Sequence, residues 1–190
     1  MIELVTHDRP DVVCLQELPV WALRHLESWS GMHATTAIAR RPPLPIGAGT
    51  VTALHHGFFR SAVTGEADAI LTRSAARDLG EHVVGQAKLR RIAHAVDVEG
   101  VTVVNFHIDG DREQFDRVVA LARERSILAG DANLAAPAAD GFSAPLAGSI
   151  DQILVRGLTL RDGPSAWPVD RRTVDGRVLS DHAPVEAVVE

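Results

Sequence analysis

The sequence predicts an α/β sandwich of layers, and three observations carry that prediction. Apolar runs of strand length recur along the chain ("DVVCL", "DAIL", "VTVVNF", "SILA", "QILV"), bounded by turn residues. Other segments space their apolar residues three and four apart, as helices do. Strand hairpins with helices placed outside them fit layers of both kinds rather than a pure bundle or a pure barrel. A chain of 190 residues, 46% hydrophobic and 23% charged, has the balance of one globular domain with a sizeable core.

Taken in order, "MIELVTHDRP" sets Ile2 and Val5 at helical spacing and stops at Pro10, which predicts the tail of a short helix. "DVVCLQEL" is a buried strand ending on Gln16 and Glu17. "PVWALRHLESW" opens on Pro19 and places Val20, Leu23 and Leu26 on one face, so a helix is expected. "MHATTAIAR" reads as a strand, "RPPLPIGAG" as a loop, and "TVTALHHGFFRSA" as a helix through Val51, Leu54 and Phe58. His55 and His56 on that helix are surface or packing residues in this reading. "DAILTR", "EHVVGQ", "RRIAHAVDV" and "VTVVNFHI" are strands, the last two joined by a hairpin-like turn at residues 98–100. "DREQFDRVVALARER" is the clearest helix: Asp111 stands three residues before Gln114, and Phe115, Val118 and Ala122 share a face. "SILAG" and "IDQILV" are strands separated by a loop of small residues, a charged loop around "DRRTVDGR" follows, and "APVEAVV" is the last strand. There is no internal repeat.

Composition excludes several classes. Aromatic residues make up 4% and tyrosine is absent, so the core is aliphatic and a base-stacking module built on tyrosines is ruled out. The formal net charge of -6 argues against a protein that lives on polyanions through basic stripes, though not against an enzyme that meets phosphate through bound cations. Cys14 is alone in an apolar run, which leaves no disulfide framework and no cysteine-built zinc site and predicts a small buried hydrophobe. The N-terminus has no basic n-region, and no run approaches the ~18 apolar residues of a membrane helix. No signal peptide, no membrane span and a cytoplasmic location are therefore expected. No Gly-x-Ser-x-Gly elbow, Walker loop or His-Glu-x-x-His occurs.

The chemistry concentrates where apolar strands end. Glu17 closes "VVCLQE", His107 closes "VVNFH", Asp131 and Asn133 close "ILAGDAN", Asp151 opens "IDQILV", and Ser180-Asp181-His182 precedes "APVEAVV". Singly, each is an ordinary turn former or structural histidine. Together they place acids, an amide and two histidines at strand ends and almost nowhere else.

With "DVVCLQE", "DAILTR", "VNFHID", "AGDAN", "SIDQILV" and "LSDHAPV" in this order, the sequence resembles the endonuclease/exonuclease/phosphatase superfamily of deoxyribonuclease-like enzymes, from residue 11 to the C-terminus. The usual central Gly-Asp-Phe-Asn carries Ala132 in place of its aromatic residue. The resemblance implies a four-layer αββα sandwich of two mixed β-sheets flanked by helices, and a metal-dependent phosphoesterase. The substrate would be a phosphoester, nucleic acid or a small or lipid ester, and the metal Mg²⁺ or Mn²⁺, which hard carboxylates suit. By the same resemblance Glu17 is the principal metal ligand and Asp181 a second metal or water ligand. Asp131 positions or deprotonates the attacking water, Asn133 donates its amide to the phosphate or the water, and His182 contacts the phosphate with Asp151 fixing its tautomer. His107 is a further oxygen contact from the opposite side. Glu66 pairs with His107 or is a solvated loop glutamate, and Asp68 shares that choice. Arg171 and Arg172 reach a substrate phosphate or stay solvated.

The family opens with a strand that carries a metal-site asparagine, whereas this chain starts within the helix that follows. Residues 1–190 are thus expected to form a single domain one strand short at its N-terminus, with an unpaired edge on "DVVCLQEL" or its neighbour. The alternative function is a catalytically weak or inactive phosphate-binding relic that serves as an interaction module.

Overall fold

The computed structural model describes residues 1–42, 64–86 and 89–190. The loop expected from Pro43 onward, the helix expected over residues 50–62, and His55 and His56 lie outside the described residues.

The chain opens on α1 (Ile2–Thr6), then β1 (Val12–Leu18), a 3₁₀ turn (Val20–His25), α2 (Leu26–Ser30) and β2 (His33–Arg40). The helix expected from Pro19 begins in the tighter form, because the Ala22 N–H donates to the Pro19 carbonyl, three residues back, at 2.8 Å. β3 (Glu66–Thr72) inserts between β1 and β2, antiparallel to both. All seven of its residues are buried, two carboxylates included.

A second sheet runs in the order β4 (Arg77–Gly85), β5 (Arg91–Val98), β6 (Val101–His107), β7 (Ser126–Asp131), β8 (Asp151–Arg156). The β6–β7 pair is parallel and the others antiparallel, so this sheet is mixed. Among the described residues the first sheet is antiparallel throughout. The β6–β7 crossover is α3 (Arg112–Val119), capped by the Asp111 carboxylate, which accepts from the Glu113 and Gln114 N–H groups. α3 ends earlier than its sequence pattern suggests. The Ser126 hydroxyl accepts from the Arg123 N–H and turns the chain into β7 instead.

Four layers result. α1 and α2 cover the outer face of β1 and β3, with Leu26, Met32, Ala69 and Leu71 at the centre of the packing. Between the sheets lie Ile70, Val96 and Val103, with Val12 and Cys14 against them. α3 covers the outer face of the second sheet, where Phe115 packs edge-to-face on Phe106 with centroids 6.1 Å apart. Burying one such side chain is worth about 1.5–3 kcal/mol.

The C-terminal region differs most from its sequence reading. A strand absent from that reading, β9 (Leu160–Ala166), pairs with β12 (Val185–Val189). Its Gly163 and Pro164 interrupt any strand-like alternation, so only the partner strand reveals it. The charged loop contains a hairpin, β10 (Thr173–Val174) with β11 (Arg177–Val178). β1 packs across β6 and β7, and β12 across β8, so the β9–β12 pair lies in the layer of the first sheet, on its β1 side. Among the described residues neither β1 nor β12 has a second strand partner. The Cys14 side chain is packed between the sheets while the residue as a whole is half-exposed, because its backbone lies on that open edge.

Candidate active site

Strand register builds one wall of the site. His107 is the parallel partner of Asp131, and Asp131 is the antiparallel partner of Asp151, so the ends of β6, β7 and β8 set an imidazole and two carboxylates in a row. Gly130, immediately before Asp131, is required by closeness rather than by a turn. A Cβ there would lie 1.9 Å from the Phe106 carbonyl oxygen on β6. The other wall comes from β1. Its pairing with β3 slips between Leu15 and Leu18, and within that bulge Glu17 takes a φ of 55°, unusual for a non-glycine residue. The bulge turns the Glu17 carboxylate outward, leaving its side chain 65% exposed.

His107 joins the walls. Its Nδ1 lies 3.8 Å from Glu17 Oε1 and 3.5 Å from Glu66 Oε1, and its Nε2 lies 3.7 Å from Asp131 Oδ2. Arg91 Nη1 stands 3.2 Å from Nδ1. A guanidinium can only donate, so Nδ1 is the bare nitrogen and Nε2 carries the proton toward Asp131. Burial, and then the Arg91 charge, push the His107 imidazole down to about 3, so the ring is neutral at ordinary pH.

Glu66 is no solvated loop residue. It is buried on β3 and accepts from Arg91 Nη1 at 2.9 Å; its Oε1 lies 3.5 Å from the bare Nδ1 of His107, so the arginine between them, not a direct hydrogen bond, links the two. Burial lifts its pKa, against the pull of Arg91. Asp68, two residues on and also buried, is pushed up to about 8 by burial and then by the Glu66 charge, and one of its oxygens has no hydrogen-bond partner among the described residues.

Around the second cluster, His182 Nδ1 lies 3.0 Å from both Asp151 oxygens. Burial alone would lower the imidazole, but the Asp151 hydrogen bond and charge outweigh it, with Asp131 and Asp181 adding, and hold its pKa above the ordinary value. Burial raises the Asp131 pKa in turn, while the Asn133 N–H, donating to Oδ1 at 2.8 Å, works the other way. The Asn133 amide donates one N–H to the Ile108 carbonyl at 2.9 Å, so the other is the one left for a ligand.

The structure thus brings together Glu17, Glu66 and His107, and Asp131, Asp151 and His182, each trio with its ligand atoms within 4.8 Å of one another. Asp181 enters neither trio; it stands on the exposed loop before β12. Arg171 is committed elsewhere, donating to Glu186 and Asp8 and stacking 3.8 Å over Trp167. Sequence reading missed Arg91, Asp109 and Asn105. Arg91 Nε donates to Asp109 at 2.7 Å, and the Asn105 amide donates to the Leu15 and Ala69 carbonyls while its oxygen accepts from Gln16. The available signal was a polar residue inside an apolar strand, Asn105 in "VVNFH", and an arginine opening one, Arg91 before "IAHAV".

The donor set fits a hard divalent cation. All six groups offer oxygen or imidazole nitrogen, and no thiolate is near. Arg91 takes the Nδ1 lone pair and one Glu66 oxygen, which leaves Glu17 as the carboxylate free to coordinate.

The model of the Endonuclease/Exonuclease/phosphatase family matches residues 1–182. The chain belongs to that family. Membership in the endonuclease/exonuclease/phosphatase family sets the reaction class as phosphoester hydrolysis. Among curated proteins no sequence matches. Solved structures agree on the fold. A conserved protein of unknown function from Enterococcus faecalis V583 is 18% identical, with a TM-score of 0.68 over 100% of this chain and 88% of its own. A Beutenbergia cavernae endonuclease/exonuclease/phosphatase is 20% identical, with a TM-score of 0.65 over 99% of this chain and 64% of its own. The 3′ phosphatase NExo from Neisseria, bound to a product DNA hairpin, is 18% identical with a TM-score of 0.52, covering 99% and 92%. Among the described residues no helix is long and apolar enough to cross a membrane.

Proposed function

We propose that this chain is a divalent-metal-dependent phosphoesterase that hydrolyses its ester with an activated water. The observation that carries the reading is the alignment of a buried carboxylate of raised pKa, Asp131, with the Asp151–His182 dyad across adjacent strand ends. A carboxylate whose proton affinity is raised is a better base toward water. With Oδ1 held by the Asn133 N–H, Oδ2 is the oxygen that accepts the proton. His182, its Nδ1 bound to Asp151, turns Nε2 as a charged donor toward a phosphoryl oxygen. Neutral His107 donates from Nε2 on the far side, and Asn133 offers its remaining amide N–H. Glu17, the carboxylate that Arg91 leaves free, would hold Mg²⁺ or Mn²⁺. When bound, such a cation supplies positive charge against the phosphoryl oxygens and acidifies its water.

The substrate tested first is a nucleic acid end, since the Neisseria protein of this fold is a 3′ phosphatase seen with DNA. The experiment is a panel of 3′-phosphorylated DNA, phosphodiester and phosphomonoester substrates assayed with Mg²⁺, with Mn²⁺ and with EDTA. Turnover that requires the metal is expected. Full activity in EDTA refutes the mechanism, and metal binding without any turnover favours the non-catalytic relic.

A further inference from the structure

We infer that Arg172 is a positioning residue for His182, an assignment that rests on the phosphoesterase reading above. The segment Leu179–Pro184 that carries His182 has no regular secondary structure, and the His182 side chain is 43% exposed, so packing alone does not hold it. Asp151 fixes Nδ1 but leaves the ring free to pivot about that contact unless the backbone is held too. Two devices hold it. The Ser180 hydroxyl accepts from the His182 N–H at 3.1 Å, and Arg172 Nη1 donates to the Ser180 carbonyl at 2.5 Å and to the His182 carbonyl at 3.3 Å. One guanidinium nitrogen therefore grips both carbonyls that bracket Asp181 and closes the Ser180-Asp181-His182 turn around itself. Arg172 is a firm anchor. Its own carbonyl accepts from the Leu179 N–H at 3.0 Å, at the base of the β10–β11 hairpin. Its Nε is shielded from solvent with no partner among the described residues. A desolvated, unpaired N–H is costly, so the arginine is seated here at the expense of one donor while another holds the loop.

The test compares Arg172→Met, Arg172→Lys and Arg172→Ala with the wild type on bis(p-nitrophenyl) phosphate in Mn²⁺, alongside NMR of the His182 imidazole through a pH titration and thermal melts. Misplacing a reacting group by about an ångström costs up to about a hundredfold. Arg172→Met is therefore expected to lower kcat about 10- to 100-fold with KM within about twofold, and to shift and broaden the His182 imidazole signals. Methylguanidinium is expected to restore part of the rate to Arg172→Ala, whose truncated side chain leaves room for it, and Arg172→Lys to fall between wild type and Arg172→Met. Unchanged kcat in Arg172→Met, or a loss that tracks unfolding and is not rescued in Arg172→Ala, overturns the assignment. If the wild type hydrolyses no phosphoester, the phosphoesterase reading has failed. The Arg172 assignment is then judged on the imidazole signals alone, and signals identical to wild type overturn it.

Discussion

Asp68→Asn offers a direct measurement of what burying a carboxyl beneath this site costs. Asp68 ordinarily would titrate near 3.8; burial, then the Glu66 charge, take it to about 8, and among the described residues one of its oxygens has no hydrogen-bond partner. The folded chain therefore holds a proton that the unfolded chain has released throughout the interval between those values. Stability falls with rising pH wherever the native state binds more protons. At about 1.4 kcal/mol per pH unit, the accumulated loss from this group approaches about 5–6 kcal/mol by pH 8. The amide cannot titrate, so Asp68→Asn removes the slope while preserving shape. It also introduces a buried N–H₂ group, with a penalty of about 1–3 kcal/mol that is the same at every pH. The decisive quantity is thus the change in the difference between the two proteins, not its value at one pH. Urea unfolding at pH 5, 6, 7 and 8 with a chelator present is expected to show the variant gaining on the wild type by about 1 kcal/mol or more for each pH unit. Parallel stability curves refute the assignment of a neutral Asp68.

Asp131→Asn and His182→Ala are each expected to lower kcat about a hundredfold or more with the circular-dichroism spectrum unchanged. The kcat profile should be bell-shaped: it falls on the acid side as Asp131, raised by burial, takes up its proton, and on the alkaline side as His182, raised through Asp151, loses its own. Asn105→Ala removes three hydrogen bonds that tie the two sheets together and should cost about 2–4 kcal/mol in chemical denaturation.

Much of this molecule was readable along the chain because strands, turns and caps answer to local chemistry. The apolar runs that became β1, β3, β6, β7 and β8, the Asp111 cap, and the polar residues closing those strands all follow from period and side-chain type within a few residues. So does the family resemblance, which is a matter of short motifs in order.

Tertiary structure alone decided what each polar group does. Glu66 could be solvated or buried in its own sequence; β3 becoming the central strand of its sheet buried it, and the pairing with Arg91 followed. Arg171 and Arg172 are equal neighbours in sequence, yet one clamps Asp8 and Glu186 while the other holds the His182 loop. β9 exists through its pairing with β12, and the tautomer of His107 is set by an arginine sixteen positions away. Local sequence determines conformation because backbone preferences and side-chain alternation act over a few residues. The depth of a charge, the partner it meets and the proton it carries depend on which distant strands fold against it, and no local pattern encodes that distance.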